Sequence, residues 1–305
     1  NVTITSSTTT LSCVTTTSGL PTCNSSNPNV VTVTRTGTVN TFFLKAVGRS
    51  SFTLTSTVSA AKAGGTAQAL NVMFVLDATG SMSSSDNNCG IPGVSSPSRF
   101  QCAQYSVQSV LKVLNTSIDQ AGLMIFPGMA SAYNPTSHPC ATQPSSVAYY
   151  TSPIYYQVGS LNSTYNNGSG SLVTTSPLVQ AIGVGVGSGA TLTGCVTNKG
   201  GQGSYAAEVI NKAQAALPTT AGTKNVIIFL SDGDYSSSSF ASGNSSKATA
   251  QCSQAVTAAQ AATTAGTTVY SVAYGAATSG CSTDTSYNPC STMKAIASDS
   301  TRFYS

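Results

Sequence analysis

Two short segments hold most of the side chains that chemistry would need. Asp77-Ala78-Thr79-Gly80-Ser81 sets a carboxylate and two hydroxyls at alternate positions, directly after the apolar run Asn71 to Leu76. Gly80 permits a tight turn, so one loop can aim three oxygens at a single point. Leu230-Ser231-Asp232-Gly233-Asp234 follows a second apolar run, Asn225 to Leu230, and adds another carboxylate. In open α/β sheets ligands bind outside the carboxyl ends of the strands, where both segments would stand. Carboxylates and hydroxyls without His or Cys make a hard oxygen site. Such a site suits Mg2+ first, because waters complete its octahedron, and Ca2+ or Mn2+ otherwise. Asp, Ser and Thr also cap loops and helices everywhere, and either segment alone reads more readily that way than as a metal site.

The elements that would position these segments show a change of pattern along the chain. From Asn1 to about Leu54, β-branched and polar residues alternate, as in Val2-Thr3-Ile4-Thr5 and Val30-Val31-Thr32-Val33-Thr34-Arg35, which predicts a small β-rich module. Ser59-Ala60-Ala61-Lys62-Ala63-Gly64-Gly65 reads as a linker, placing the module and linker at 1–66 and a second domain at 67–305. In the second domain, apolar strands at Asn71 to Leu76, Gly122 to Phe126, Asn225 to Leu230 and Thr268 to Ala273 alternate with helical periodicity. Helices are expected at Phe100 to Leu114, Leu178 to Val186, Ala206 to Leu217, Ala248 to Thr264 and Met293 to Ala297. Hairpin strands are expected at Val147 to Tyr150 and Ile154 to Val158, and a final edge strand at Arg302-Phe303-Tyr304. This alternation predicts an α/β fold: a doubly wound, mostly parallel sheet with helices on both faces.

Composition narrows the classes of function. Charged residues are 7% of the 305, with Ser, Thr, Gly and Asn filling the polar positions. A net charge of +4 spread over such a length forms no basic cluster, so nucleic acid is not an expected partner. With eight Asp and Glu, few charges change on acidification, which predicts tolerance of acid. Nine cysteines without CxxC pairs point to disulfides in an oxidising compartment outside the cytoplasm, with one thiol left over. Cys13 and Cys23, with Gly19 and Pro21 between them, suit a stapled hairpin or loop. No apolar run reaches the length of a membrane span. The chain opens on Asn1, which leaves room for an upstream signal or anchor.

Taken together, Asp77-Ala78-Thr79-Gly80-Ser81-Met82 and Leu230-Ser231-Asp232-Gly233 resemble the DxTGSM form and the distal Asp segment of the metal-ion-dependent adhesion motif of von Willebrand factor A domains. Thr174-Thr175-Ser176-Pro177-Leu178 stands where that family places a Thr before a helix, with Ser176 fitting best and Thr175 as substitute. The resemblance implies a Rossmann-like fold over residues 70 to 305. It further implies that Thr79, Ser81 and Ser176 bind a divalent cation directly, that Asp77 and Asp232 contact it mainly through water, and that one coordination position stays open for an Asp or Glu of a partner. Thr41-Phe42-Phe43-Leu44-Lys45-Ala46-Val47-Gly48-Arg49-Ser50-Ser51-Phe52-Thr53-Leu54 is also similar to the β segment of TadG-like proteins of tight-adherence pili. Most cysteines fall in segments expected on the metal-bearing rim. The expected bridges are Cys13 with Cys23, Cys89 with Cys102 and Cys140 with Cys195, while Cys252, Cys281 and Cys290 supply one more pair and the spare thiol.

The expected function is therefore metal-dependent adhesion at an extracellular surface, in a secreted or pilus-associated component. A structural subunit of a filament, self-associating by strand addition or disulfides, is the alternative. A metal-dependent hydrolase ranks below both. The single histidine, His138, sits in a loop segment, and no GxSxG or HExxH motif occurs. The Gly183 to Gly189 run follows a helix rather than a strand, which argues against a dinucleotide site.

Overall fold

The computed structural model describes residues 2–15, 23–40, 51–61, 68–129, 155–198, 204–237, 245–276 and 285–305. The chain divides into two units, Asn1–Gln68 and Ala69–Ser305.

The first unit is a three-stranded antiparallel sheet of β1 (Val2–Ser12), β2 (Val30–Asn40) and β3 (Ser51–Ala61), in that order. The β-rich expectation ended the strands near Leu54 and read Ser59 to Ala61 as linker; instead β3 runs to Ala61, whose Cα pairs with Val30. Small residues serve as strand here because β2 offers a full-length partner. Side chains alternate across the sheet. One face pairs hydroxyls across strands, with Thr32 on Ser59 (2.8 Å), Thr34 on Thr57 (3.0 Å) and Thr36 on Thr55 (3.2 Å). The other carries Leu11, Val31, Val33, Leu54 and Val58, of which Leu11, Leu54 and Val58 are exposed. A disulfide joins Cys13 to Cys23 beyond the end of β1.

The second unit is a six-stranded sheet built from β4 (Ala69–Asp77), β5 (Gln120–Met129), β6 (Tyr155–Asn162), β9 (Thr223–Ser231), β10 (Thr268–Ala273) and β11 (Phe303–Tyr304). A two-stranded hairpin of β7 (Gly183–Val184) and β8 (Leu192–Thr193) stands apart from it. The sheet order is β6-β5-β4-β9-β10-β11, parallel except for edge strand β6. In chain order this is 3-2-1-4-5-6, the doubly wound arrangement whose order reverses between its two central strands. Those strands are β4 and β9, in register from Ala69 opposite Thr223 to Leu76 opposite Leu230.

The parallel strands are apolar on both faces because helices cover both. Val72, Phe74, Leu76, Leu123 and Ile125 face α1 (Arg99–Val113) and α2 (Pro177–Ile182). Met73, Val75, Phe126, Ile227, Phe229 and Val269 face α3 (Ala206–Ala216), α4 (Gln251–Thr264) and α5 (Pro289–Ile296). Local chemistry sets the helix starts. Ser98 Oγ accepts from Gln101 N while Gln101 Oε1 accepts from Ser98 N, a reciprocal cap that begins α1. Asn288 and Ser291 repeat the arrangement at α5, which therefore starts before the expected Met293.

Helix α2 is shorter than the expected Leu178 to Val186. Gly183 ends it in a left-handed conformation (φ 82°), and a Cβ there would lie 2.6 Å from Gly194 N. The chain then enters β7, so the glycine run builds a hairpin. The expected strand at Val147 to Tyr150 lies outside the described residues.

Candidate functional site

Strands β4 and β9 end side by side at the point where the sheet order reverses. Leu76 and Leu230 pair across them, so Asp77 and Ser231 emerge together. Ser231 Oγ donates to Asp77 Oδ2 at 2.6 Å. On the other oxygen, Asp77 Oδ1 accepts from Thr79 N at 2.9 Å and from Thr79 Oγ1 at 2.6 Å. The loop is thus folded around its own carboxylate, and Asp77 is fully buried. The sequence continues as a 3-10 turn, Gly80–Ser83, anchored by buried Met82.

Thr79 spends its hydroxyl proton on Asp77, which leaves its oxygen lone pairs for another partner. Ser81 is exposed, and its Oγ lies 3.2 Å from Thr79 Oγ1. Two oxygens on adjacent vertices of one octahedral cation are separated by about 2.9 Å for Mg2+ and about 3.4 Å for Ca2+, from their usual bond lengths. The observed spacing falls between the two.

Asp232 follows Ser231 and is buried. Its Oδ2 accepts from Arg99 Nη1 at 2.9 Å, while its Oδ1 is buried without a hydrogen-bond partner. Arg99 is the first residue of α1, and the guanidinium fits because position 275 is glycine: a Cβ there would stand 2.7 Å from Arg99 Nε. Ser176 lies at the N-terminus of α2, buried, with an Oγ that makes no cap hydrogen bond and has no other partner. Thr175, its substitute in the motif, is exposed. Among the described residues no hydrogen bond joins Ser176 to Asp77, Thr79, Ser81 or Asp232.

Burial first, and then the charge of Asp232, push the Asp77 carboxyl up to about 7, against the opposing pull of the hydrogen bonds from Ser231 and Thr79. The low-dielectric floor responsible is aromatic. Phe126 and Phe229 stack at 5.6 Å between ring centroids, and Tyr235 meets both edge-on. The Tyr235 hydroxyl lies 3.3 Å from Ser231 Oγ. Burial drives its pKa well above the ordinary tyrosine value.

These residues fit a hard divalent cation on chemical grounds. Two oxygens of the motif residues, Ser176 Oγ and Asp232 Oδ1, are buried without a partner, as are Gln214 Oε1 on α3 and Thr267 Oγ1 before β10. Asp77 carries an ionisation cost that a nearby positive charge would offset. Among the described residues no group of three or more His, Cys, Asp or Glu is clustered, so hydroxyls carry as much of this donor set as carboxylates.

Three participants had no assigned part in the sequence reading. Ser231 had a signal, since it precedes Asp232 on a strand that runs beside β4. Arg99 and Tyr235 had none, because only the folded chain carries helix α1 and the β9 loop to Asp232 and Ser231. Of the cysteines, Cys89 and Cys102 form a disulfide that ties the segment before α1 to that helix. Cys195 and Cys252 each form a disulfide, though not with one another, and Cys290 is free. Cys140 and Cys281 lie outside the described residues, and with them the expected pairing of Cys140 with Cys195.

The second unit is a doubly wound, mostly parallel six-stranded α/β sheet with helices on both faces, an architecture that fits a von Willebrand factor A-like fold and is shared with other doubly wound folds. No protein-family model matches the chain, and no curated protein does. Among solved structures it is similar to BatB from Bacteroides thetaiotaomicron, at 18% identity over 77% of this chain and 88% of that one, with a TM-score of 0.39. An aerotolerance-related membrane protein from Bacteroides fragilis matches at 16% identity over 77% and 90%, with a TM-score of 0.38. The three N-terminal domains of the type V pili tip protein Mfa5 from Porphyromonas gingivalis match at 13% identity over 99% of this chain and 53% of that one, with a TM-score of 0.44.

Proposed function

We propose that this chain is an extracellular binding protein that captures a carboxylate of its partner at a divalent cation, Mg2+ in the first instance, held on the rim of the β4–β9 junction. Thr79, Ser81 and Ser176 would hold the ion through hydroxyl oxygens, with Asp77 and Asp232 completing the charge around it. Once bound, the ion supplies an electrophilic position for an incoming Asp or Glu. The observation that carries this reading is the buried Asp77 carboxylate, held by Ser231 and Thr79 with Ser81 Oγ 3.2 Å from Thr79 Oγ1. Ser176 Oγ and Asp232 Oδ1, buried without partners, are the oxygens that would join it.

Each protein group has a defined task in this scheme. Ser231 and Thr79 hold Asp77 in one orientation through three hydrogen bonds. Arg99 holds one oxygen of Asp232, and the other, buried without a partner, would be the one turned to the ion. Ser81, exposed at the turn, stands where a partner can approach. No nucleophile and base pair is part of the arrangement, and the role proposed is binding without turnover. The disulfides agree with an oxidising, extracellular setting. The test is calorimetric titration of the chelated protein with MgCl2. Binding that is lost in Ser81→Ala and Asp77→Asn supports the reading, and absence of heat or thermal shift with Mg2+, Mn2+ and Ca2+ removes it.

A second reading, self-assembly into a surface filament, is favoured by the first unit. Its sheet exposes Leu11, Leu54 and Val58 on one face, and among the described residues β1 and β3 are edge strands of the kind suited to strand addition.

A further inference from the structure

A cavity of about 400 Å3 opens between the N-terminal half of α1 and the β7–β8 hairpin, lined by Ser83, Phe100, Gln104, Gly187, Thr193 and Asn198 among others. Among the described residues no charged side chain lines it. Hydrogen bonds join the helix wall to the start of the hairpin wall. Gln108, fully buried one turn along α1 from Gln104, donates to Ile182 O (3.0 Å) and Gly185 O (2.9 Å) and accepts from Gly185 N (3.0 Å), pinning the hairpin to the helix.

Gln101, Gln104 and Gln108 share one face of α1 at helical spacing. The first closes the Ser98 cap and the last pins Gly185. Gln104, between them and lining the cavity, buries most of its side chain, while its amide makes no hydrogen bond among the described residues and stays open to water on the cavity side. A water-facing primary amide at a cavity wall can exchange its water for a ligand's polar group. It presents a donor and an acceptor side by side, which complement another amide.

Ser83 places this cavity next to the adhesion rim. It follows Ser81 by two residues, so the cavity edge lies within about 8 Å of the Ser81 Cα. In an extended peptide, residues i and i+2 project to the same side about 6.7 Å apart. We propose that the cavity is a specificity subsite for a peptide partner, taking the neutral amide side chain of an Asn or Gln two residues from the Asp or Glu bound at the rim. The assignment of the carboxylate rests on the adhesive reading above; the amide subsite rests on Gln104 and the cavity.

The probes are two blocked peptides, acetyl-Asp-Gly-Asn N-methylamide and acetyl-Asp-Gly-Ala N-methylamide, titrated into the full chain with and without Mg2+. Acetamide is titrated alone, with the side-chain amide resonances of Gln104 as readout. The Asn peptide is expected to bind about tenfold more tightly than the Ala peptide in Mg2+, from one amide pair of hydrogen bonds. Gln104→Ala and the near-isosteric Gln104→Glu are expected to erase that difference while retaining the wild-type melting temperature within a few degrees. Equal binding of both peptides, dependent on Mg2+, overturns the subsite and leaves the adhesive reading intact. Saturable acetamide shifts at Gln104 with no Mg2+-dependent gain for either peptide keep the subsite and remove the adhesive reading. A methyl glycoside that shifts Gln104 where acetamide and the peptides do not overturns the peptide assignment.

Discussion

Replacing Asp77 by Asn tests the electrostatics of the site directly. In the metal-free protein the Asp77 carboxyl is pushed from 3.8 to about 7. Its folded pKa therefore exceeds its unfolded one. The associated stability is fully present below about pH 4 and is lost as pH rises through about 7. A shift of about three units corresponds to about 4 kcal/mol at pH 8, where the group is ionised in both states. Asn removes that charge, and its carbonyl can still accept from Thr79. Its NH2 cannot accept the Ser231 proton, which costs about 1 to 2 kcal/mol. The net gain at pH 8 is about 2 to 3 kcal/mol, or about 5 to 10 °C in melting temperature for a unit of this size. At pH 5 the wild-type carboxyl is itself neutral, and the variant should be equal or slightly less stable. Melting followed by circular dichroism in EDTA, across pH 4 to 8, reads both effects. Equal destabilisation by Asp77→Asn at pH 5 and pH 8 would falsify the claim that Asp77 is an uncompensated buried carboxyl.

Other perturbations separate binding from folding. Ser81→Ala, at an exposed position, should alter metal-free stability by less than about 0.5 kcal/mol. It should sharply reduce the stabilisation by Mg2+, which for an intact site reaches about 2.7 kcal/mol at a hundredfold excess over Kd. Arg99→Gln strands both oxygens of buried Asp232; because the Arg99 side chain is 22% exposed, a loss of about 2 to 3 kcal/mol in chemical denaturation is expected, largely recovered on adding Mg2+. Failure of Mg2+ to recover it would separate Asp232 from the metal. Replacing Cys89 and Cys102 together by Ser opens a loop whose ends are 13 residues apart, with an expected cost of about 3 kcal/mol in urea unfolding. An unchanged midpoint would show that the reciprocal cap of Ser98 and Gln101 suffices to hold the start of α1.

Much of the second unit is legible because its strands are apolar on both faces and its helices periodic. Asn71 to Leu76 and Thr268 to Ala273 announce themselves in this way, and Asp77 and Asp232 stand at strand ends in any such reading. Their adjacency is a different kind of fact. It depends on β4 pairing with β9 across more than 150 residues, which no local pattern encodes. The partnership of Arg99 with Asp232 needs that topology and an absent side chain at Gly275. The end of α2 had a signal in the sequence, since Ile182-Gly183-Val184-Gly185-Val186 alternates with the period of two of a strand and Gly183 turns the chain out of the helix. Ser176 and Thr175 are chemically alike, and only burial distinguishes them. At Ser59 to Ala61, small residues looked like linker because the partner strand that recruits them lies about thirty residues earlier.

The register of the first unit has a mechanical consequence. Val2 pairs with Val39, itself opposite Phe52, at one end of the sheet, while Ser12, Val30 and Ala61 align at the other. The strand that enters the sheet at Val2 and the strand that leaves it at Ala61 therefore do so from opposite ends. Tension applied through these two points runs along the strands and across the hydrogen bonds of the antiparallel ladder. The bonds are then loaded in shear and yield together, where a hairpin pulled from one end would unzip one bond at a time.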